Sequence, residues 1–138
     1  MKFARTVFWI AGIYGILSLP PLYFLFDYVG RTEPPPITHP HFYYGFVGLA
    51  LTFQLVFMVI ATDPARFRPM MIPSMLEKLS YIGTCFVLHA QGRISFADAA
   101  TAFPDIIFLA LFLTAFFKTA PGNVGGSSRV WIPNVRIP

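Results

Sequence analysis

FYYGFVGLALTFQLVFMVIAT, residues 42–62, decides how the rest of the chain is read. Its 21 residues carry no charge, and Gln54 is the one strongly polar side chain among them. Wound as an α-helix it reaches about 32 Å, enough to cross a hydrocarbon core of about 30 Å. A helix at the surface of a soluble domain keeps a polar face, and this one has none. The stretch predicts a membrane span. The flanking chain predicts the remainder of an all-α, integral membrane four-helix bundle.

Composition agrees. The 138 residues are 56% hydrophobic and 12% charged, with a mean hydropathy of +0.64, far from soluble averages. One domain is the natural count at this length. Aromatics make up 17%, mostly Phe, and read as lipid-facing and interhelical filling. The net charge of +4 sits as single basic residues beside apolar runs rather than in a patch. That placement excludes nucleic acid as a partner and makes the lipid bilayer the first one. Cys85 is the sole cysteine, so neither an intrachain disulfide nor a thiol-based zinc site is available. Met1-Lys2-Phe3-Ala4-Arg5 imitates a signal peptide, but no small-x-small cleavage pattern follows near residues 18–25, and a retained first span is expected.

Four spans are expected, at about 6–28, 42–62, 74–91 and 96–118, followed by a flexible tail over 119–138 rich in Gly and Ser. Pro20-Pro21 removes two amide donors inside the first span and should kink or break it. Gly12 and Gly15 allow a close helix approach without forming GxxxG. In the loop between the first two spans, Pro34-Pro35-Pro36 favours polyproline geometry. Asp63-Pro64 reads as a cap with proline at the first helical position. Ser74-x-x-Glu77 and Ser95-x-x-Asp98 both match the capping box, and Pro104 should kink the fourth span.

Several polar residues remain to be accounted for. Gln54 at mid-depth needs a hydrogen-bond partner, expected on another helix. Asp105 has no capping role, and a carboxylate in hydrocarbon costs about 2.5–3.5 kcal/mol on the insertion scale, so it should face the bundle interior. Glu77, if not a cap, is an intramembrane acid for Lys78, Arg66 or Arg68, although adjacent Glu77 and Lys78 do not face each other on a helix. Tyr81, Cys85 and His89 share a face at i, i+4, i+8, and His89 lies near a helix end, where carbonyls are free. Arg66 and Arg68 suit topology and headgroup contact. His39 and His41 are weak metal candidates, two ligands making a poor site by themselves.

Four spans put both termini on one side. Lys2, Arg5, Arg66, Arg68, Lys78, Lys118, Arg129 and Arg136 then share that side, against Arg31 and Arg93. The bias predicts cytoplasmic termini and, for a bacterial chain, the inner membrane. The same topology gathers Asp27, His39, His41, His89, Asp98 and Asp105 toward the outer half, where carboxylates and imidazoles together suit a metal, a proton relay or the polar head of an apolar ligand.

Residues 43–83, with Tyr43-Tyr44-Gly45-Phe46, the elbow Asp63-Pro64 with Arg66, Arg68 and Pro69, and Leu76-Glu77-Lys78-Leu79, resemble a family of small, uncharacterised bacterial membrane proteins. The resemblance implies a four-span fold and transfers no catalytic residue. Small multidrug transporters share the length, but their membrane-embedded acid in the first span has no counterpart here, where residues 6–26 are uncharged.

Two functions compete. One is a non-catalytic accessory or assembly subunit of a larger membrane complex, joined to other subunits or to itself. The other is a module that binds or transports a small apolar ligand (lipid, quinone or pigment) through the His/Asp cluster of Asp105, His89, Asp98 and Asp27, with Gln54. No nucleophile–base pair, HExxH, P-loop or dinucleotide fingerprint points to an enzyme, and no cofactor is specified.

Overall fold

A computed structural model describes residues 1–32 and 36–120. The described residues are helical, without strands: α1 (Lys2–Ser18), α2 (Phe26–Thr32), α3 (Pro40–Thr62), α4 (Met71–Ala90), α5 (Phe96–Ala100) and α6 (Phe103–Lys118). Glu33, Pro34, Pro35 and residues 121–138, with most of the expected tail, lie outside them. Thr119, assigned to the tail from sequence, is buried, and its hydroxyl donates to the Ala115 carbonyl at 2.9 Å.

Three stretches are long and apolar enough to cross a membrane: Lys2–Phe24, Pro40–Thr62 and Phe96–Lys118. Their outward faces are greasy, with Phe24 89% and Phe42 70% exposed, which fits a lipid-solvated surface. The expected third span, α4, is not among them, because Ser74, Glu77, Lys78, Ser80 and Tyr81 dilute its apolar content.

Antiparallel neighbours are visible in the contacts. Arg5 Nη2 donates to the Thr62 carbonyl at 3.2 Å, while Tyr43 Oη donates to the Leu22 carbonyl at 2.9 Å. The stretch Lys2–Phe24, which contains α1, thus runs against α3 from end to end. Lys118 Nζ lies 4.5 Å from the Phe3 ring centre, and Tyr14 packs on Phe108 with ring centres 5.5 Å apart, so α1 also opposes α6. α4 returns the chain: Arg68, just before it, donates to the Phe116 carbonyl at 3.2 Å, and Tyr81 meets Thr101 at 2.9 Å. The start of α1 and the end of α6 therefore lie at the same end of the bundle. Lys2, Arg5, Arg66, Arg68 and Lys118 collect there.

The core is a knot of three rings. Phe8 stacks on Phe112 at 4.2 Å between centres, and Phe57 meets Phe112 edge-on at 5.0 Å. Such pairs contribute about 0.5–1.5 kcal/mol each beyond area burial. That matters in lipid, where helices gain little from apolar burial and rely on packing. The two glycines of α1 supply the closeness: a Cβ on Gly12 would sit 2.9 Å from Met58 Cγ, and one on Gly15 would overlap the Gln54 side chain.

Of the proline expectations, the break at Pro20-Pro21 forms, the kink at Pro104 does not, and the polyproline reading of Pro34-Pro35-Pro36 falls largely outside the described residues. α1 stops at Ser18 and Pro20–Phe24 forms a 3-10 turn. Pro104 does not kink a continuous helix. The chain breaks at Thr101 and Ala102, and α6 starts at Phe103 with Pro104 in its first turn, where a missing N–H costs nothing. The Ser95–Asp98 capping box forms: Ser95 Oγ accepts from the Asp98 amide at 3.1 Å, and Asp98 Oδ2 accepts from the Ser95 amide at 3.0 Å. The Ser74–Glu77 box does not form. α4 begins three residues earlier, at Met71, with Pro73 tolerated in its first turn. Ser74 is buried and donates to the Met70 carbonyl at 2.8 Å. Glu77 is thereby left without a capping role.

Candidate functional site

The residue at the centre is Lys78, 8% exposed. α4 carries it inward, opposite the first turn of α6. Its Nζ lies 2.7 Å from Asp105 Oδ1 and 3.2 Å from Glu77 Oε2. Neighbours on a helix do not share a face, yet the long lysine side chain folds back far enough to reach the adjacent carboxylate, against the expectation from spacing. The aligned hydrogen bond from Nζ goes to Glu77 Oε1 at 3.4 Å, and Glu77 Oε2 is buried without a hydrogen bond among the described residues. The Phe57 ring centre is 5.3 Å from Nζ. Asp105 gains further from its place in the first turn of α6, where the helix dipole favours a carboxylate.

This cluster is near the middle of two of the apolar stretches. Asp105 is the tenth residue of the 23-residue stretch Phe96–Lys118, and Gln54 the fifteenth of Pro40–Thr62. Lys78, Glu77, Asp105, Gln54, Tyr81 and Ser18 line one cavity of about 180 Å³ between α1, α3, α4 and α6. Gln54 is buried, but its partner is on its own helix: Nε2 donates to the Ala50 carbonyl at 2.8 Å. The expected bond to another helix is absent among the described residues, and contact with Gly15 replaces it.

A second hollow, about 380 Å³, adjoins the first and shares Phe46, Ala50, Glu77 and Tyr81 with it. It runs between α3 and α4, where Leu49, Ser80 and Thr84 add to its wall. These two helices meet sparsely. Phe46 and Tyr81 stack at 5.8 Å between ring centres. The ionic cavity thus shares a wall with a mostly apolar groove.

The expected outer cluster is dispersed. Asp105 and Gln54 share the ionic cavity. His89 lines a different hollow, beside Cys85, Phe86, Phe96 and Phe103, with Nδ1 3.3 Å from the Ile94 carbonyl. Asp98 caps α5, and Asp27 is exposed in the first turn of α2. His39 and His41 stand at the exposed start of α3 with ring centres 6.0 Å apart, and no group of three metal-ligating side chains forms among the described residues. Arg66 is exposed, whereas Arg68 is half-buried with its guanidinium carbon 3.7 Å from the Phe116 ring centre, so it clamps the elbow to α6.

Sequence reasoning counted Lys78 among the orientation charges and missed it as the hub. A signal existed. Lys78 lies fifteen residues before Arg93 and Asp105 twelve after it, so an antiparallel hairpin turning there brings the two to similar depth.

Family models, curated proteins and solved structures return no match to this chain. The reading of the site rests on its geometry.

Proposed function

We propose that this protein is a membrane-embedded binding module for a small amphipathic ligand, its polar head held in the ionic cavity and its apolar part lying in the groove between α3 and α4. The observation that carries this reading is Lys78 paired with Asp105 and Glu77 beside open space. Buried ion pairs are a poor source of stability, because desolvating the charges costs several kcal/mol per ion. In a bilayer interior such residues face cavities and mark the paths of substrates or ions. A purely architectural bundle needs neither the charges nor the hollow.

The same reading makes α4 the fourth span. Ser74 and Lys78 are buried and Glu77 and Tyr81 half-buried, the exposed Ser80 and Thr84 donate their hydroxyls to carbonyls of their own helix, and Ile72, Leu76, Leu79, Phe86 and Val87 are exposed and suit lipid. Both termini then share a compartment. The basic end fits the cytoplasmic face of a bacterial inner membrane.

The test is purification in mild detergent, followed by extraction and mass spectrometry of what the protein retains. The wild type should carry a defined amphiphile, and Lys78→Gln and Asp105→Asn should each change the retained amount at least tenfold in protein that still elutes as a folded species. An unchanged complement of ligand in both variants counts against the cavity. Stoichiometric co-purifying proteins without a ligand favour the accessory-subunit reading instead.

A further inference from the structure

The donor and acceptor balance of the cavity says more about the head it takes. We infer that the ligand is a lipophilic primary amine, bound as its ammonium; this rests on the binding-module reading above.

The first ground is formal charge. Two carboxylates, Glu77 and Asp105, face one ammonium, Lys78. With both carboxylates ionised, one negative charge is left over near the middle of the apolar stretches, where an unmatched charge is most costly. An anionic head entering the same space meets two carboxylates around the one cation.

The second ground is the hydrogen-bond inventory. Gln54 Nε2 donates one N–H to the Ala50 carbonyl at 2.8 Å, which leaves its second N–H and the side-chain carbonyl oxygen, an acceptor with two lone pairs. Ser18 Oγ donates to the Tyr14 carbonyl at 2.8 Å. Thr101 Oγ1 donates to the Asp98 carbonyl at 2.6 Å, so in the 2.9 Å contact between Thr101 and Tyr81 the tyrosine is the donor. Its oxygen, on a side chain that lines the cavity, also has acceptor capacity. Lys78 Nζ is turned to its two carboxylates and the Phe57 ring. Tyr14, half exposed, keeps a hydroxyl able to donate or accept. The wall therefore offers more acceptors than donors, and Glu77 Oε2 is buried with the 3.2 Å ion pair to Lys78 and no hydrogen bond among the described residues. An ammonium brings three donors and no acceptor. Four aromatic residues, Tyr14, Phe46, Tyr81 and Phe108, also line the cavity, and aromatic rings are compatible neighbours for a cation.

The groove sets the other half of the molecule. It is walled by Phe46, Leu49 and Ala50 and passes directly to Glu77. An unbranched alkyl chain fits such a groove, with the amine leading.

Dodecylamine, dodecanol and dodecanoate, added to the full chain in maltoside micelles and followed by native mass spectrometry and calorimetry, separate the possibilities. Dodecylamine should bind at least tenfold tighter than the other two. Glu77→Gln should lower its affinity about tenfold, and Ala50→Leu, which narrows the cavity without touching a charge, should lower it as well. If dodecanol or dodecanoate binds as tightly as the amine and Ala50→Leu weakens it, the amine inference is wrong while the binding module stands. Amine binding indifferent to Glu77→Gln, in protein with a wild-type thermal transition, also overturns the inference. If none of the three binds in a way that Ala50→Leu affects, both the inference and the binding module fail.

Discussion

Gly15 and Lys78 illustrate two ways in which one side chain shapes this bundle. Gly15 works by absence. Gln54 occupies the space where its Cβ would stand, and Gln54 in turn forms part of the cavity wall. Gly15→Ala should therefore destabilise the protein by about 1–3 kcal/mol, the usual cost of overpacking a filled site. Gly45, whose added Cβ would meet nothing within 4 Å, is the control. Gly45→Ala should leave stability unchanged or raise it by up to about 1 kcal/mol, since glycine inside a helix is less favourable than alanine. Thermal unfolding of the two variants in one detergent checks the pair; equal transitions would mean that α1 and α3 are not in close contact at Gly15. Lys78 works by charge. It holds two carboxylates that would otherwise face hydrocarbon, and removing one partner of a buried pair leaves an uncompensated charge.

At the scale of elements, the short helix α5 shows local sequence overriding length. Five residues are too few for a stable helix by propensity alone. The reciprocal capping box at Ser95 and Asp98 satisfies two amide donors that would otherwise be free, and the helix forms. Ser95→Ala should cost about 1 kcal/mol locally. Amide exchange in α5 should rise about fivefold while α1 and α3 keep their protection. Uniform loss of protection throughout the bundle would show that α5 does not open independently. The break after α5 has a second effect. By restarting the helix at Phe103, the chain sets Asp105 in a first turn, where the dipole and Lys78 both favour its carboxylate. A straight helix through this region would lose the first of those contributions.

For the whole molecule, the decisive quantity is how often the chain crosses the bilayer. Three stretches qualify by composition. An odd count would put the ends on opposite sides, yet α1 opposes both α3 and α6, and Lys118 meets Phe3 at one end of the bundle. Reporter fusions at residue 1 and after residue 120 should therefore report the same compartment, and a cysteine placed at exposed Phe42 should be labelled from the opposite one. Fusions reporting from different sides would remove α4 as a span and, with it, the mid-depth position of the ionic cavity.

Composition and spacing alone determined the helical class, the apolar stretches, the break at Pro20-Pro21 and the cap at Ser95. Each is a local matter: hydropathy over some twenty residues, a missing amide, a side chain three residues from its partner. The inward demand on Asp105 was likewise legible, since a carboxylate in hydrocarbon has few choices. Its partner was not. Lys78 is remote in sequence and meets Asp105 because α4 and α6 run antiparallel at one register, and only packing sets that register. Packing also separated His89 from Asp105, although both had been assigned to one outer cluster, because the two face different hollows. The cavity itself is a property of four helices at once, and one-dimensional patterns carry no information about the space left between them.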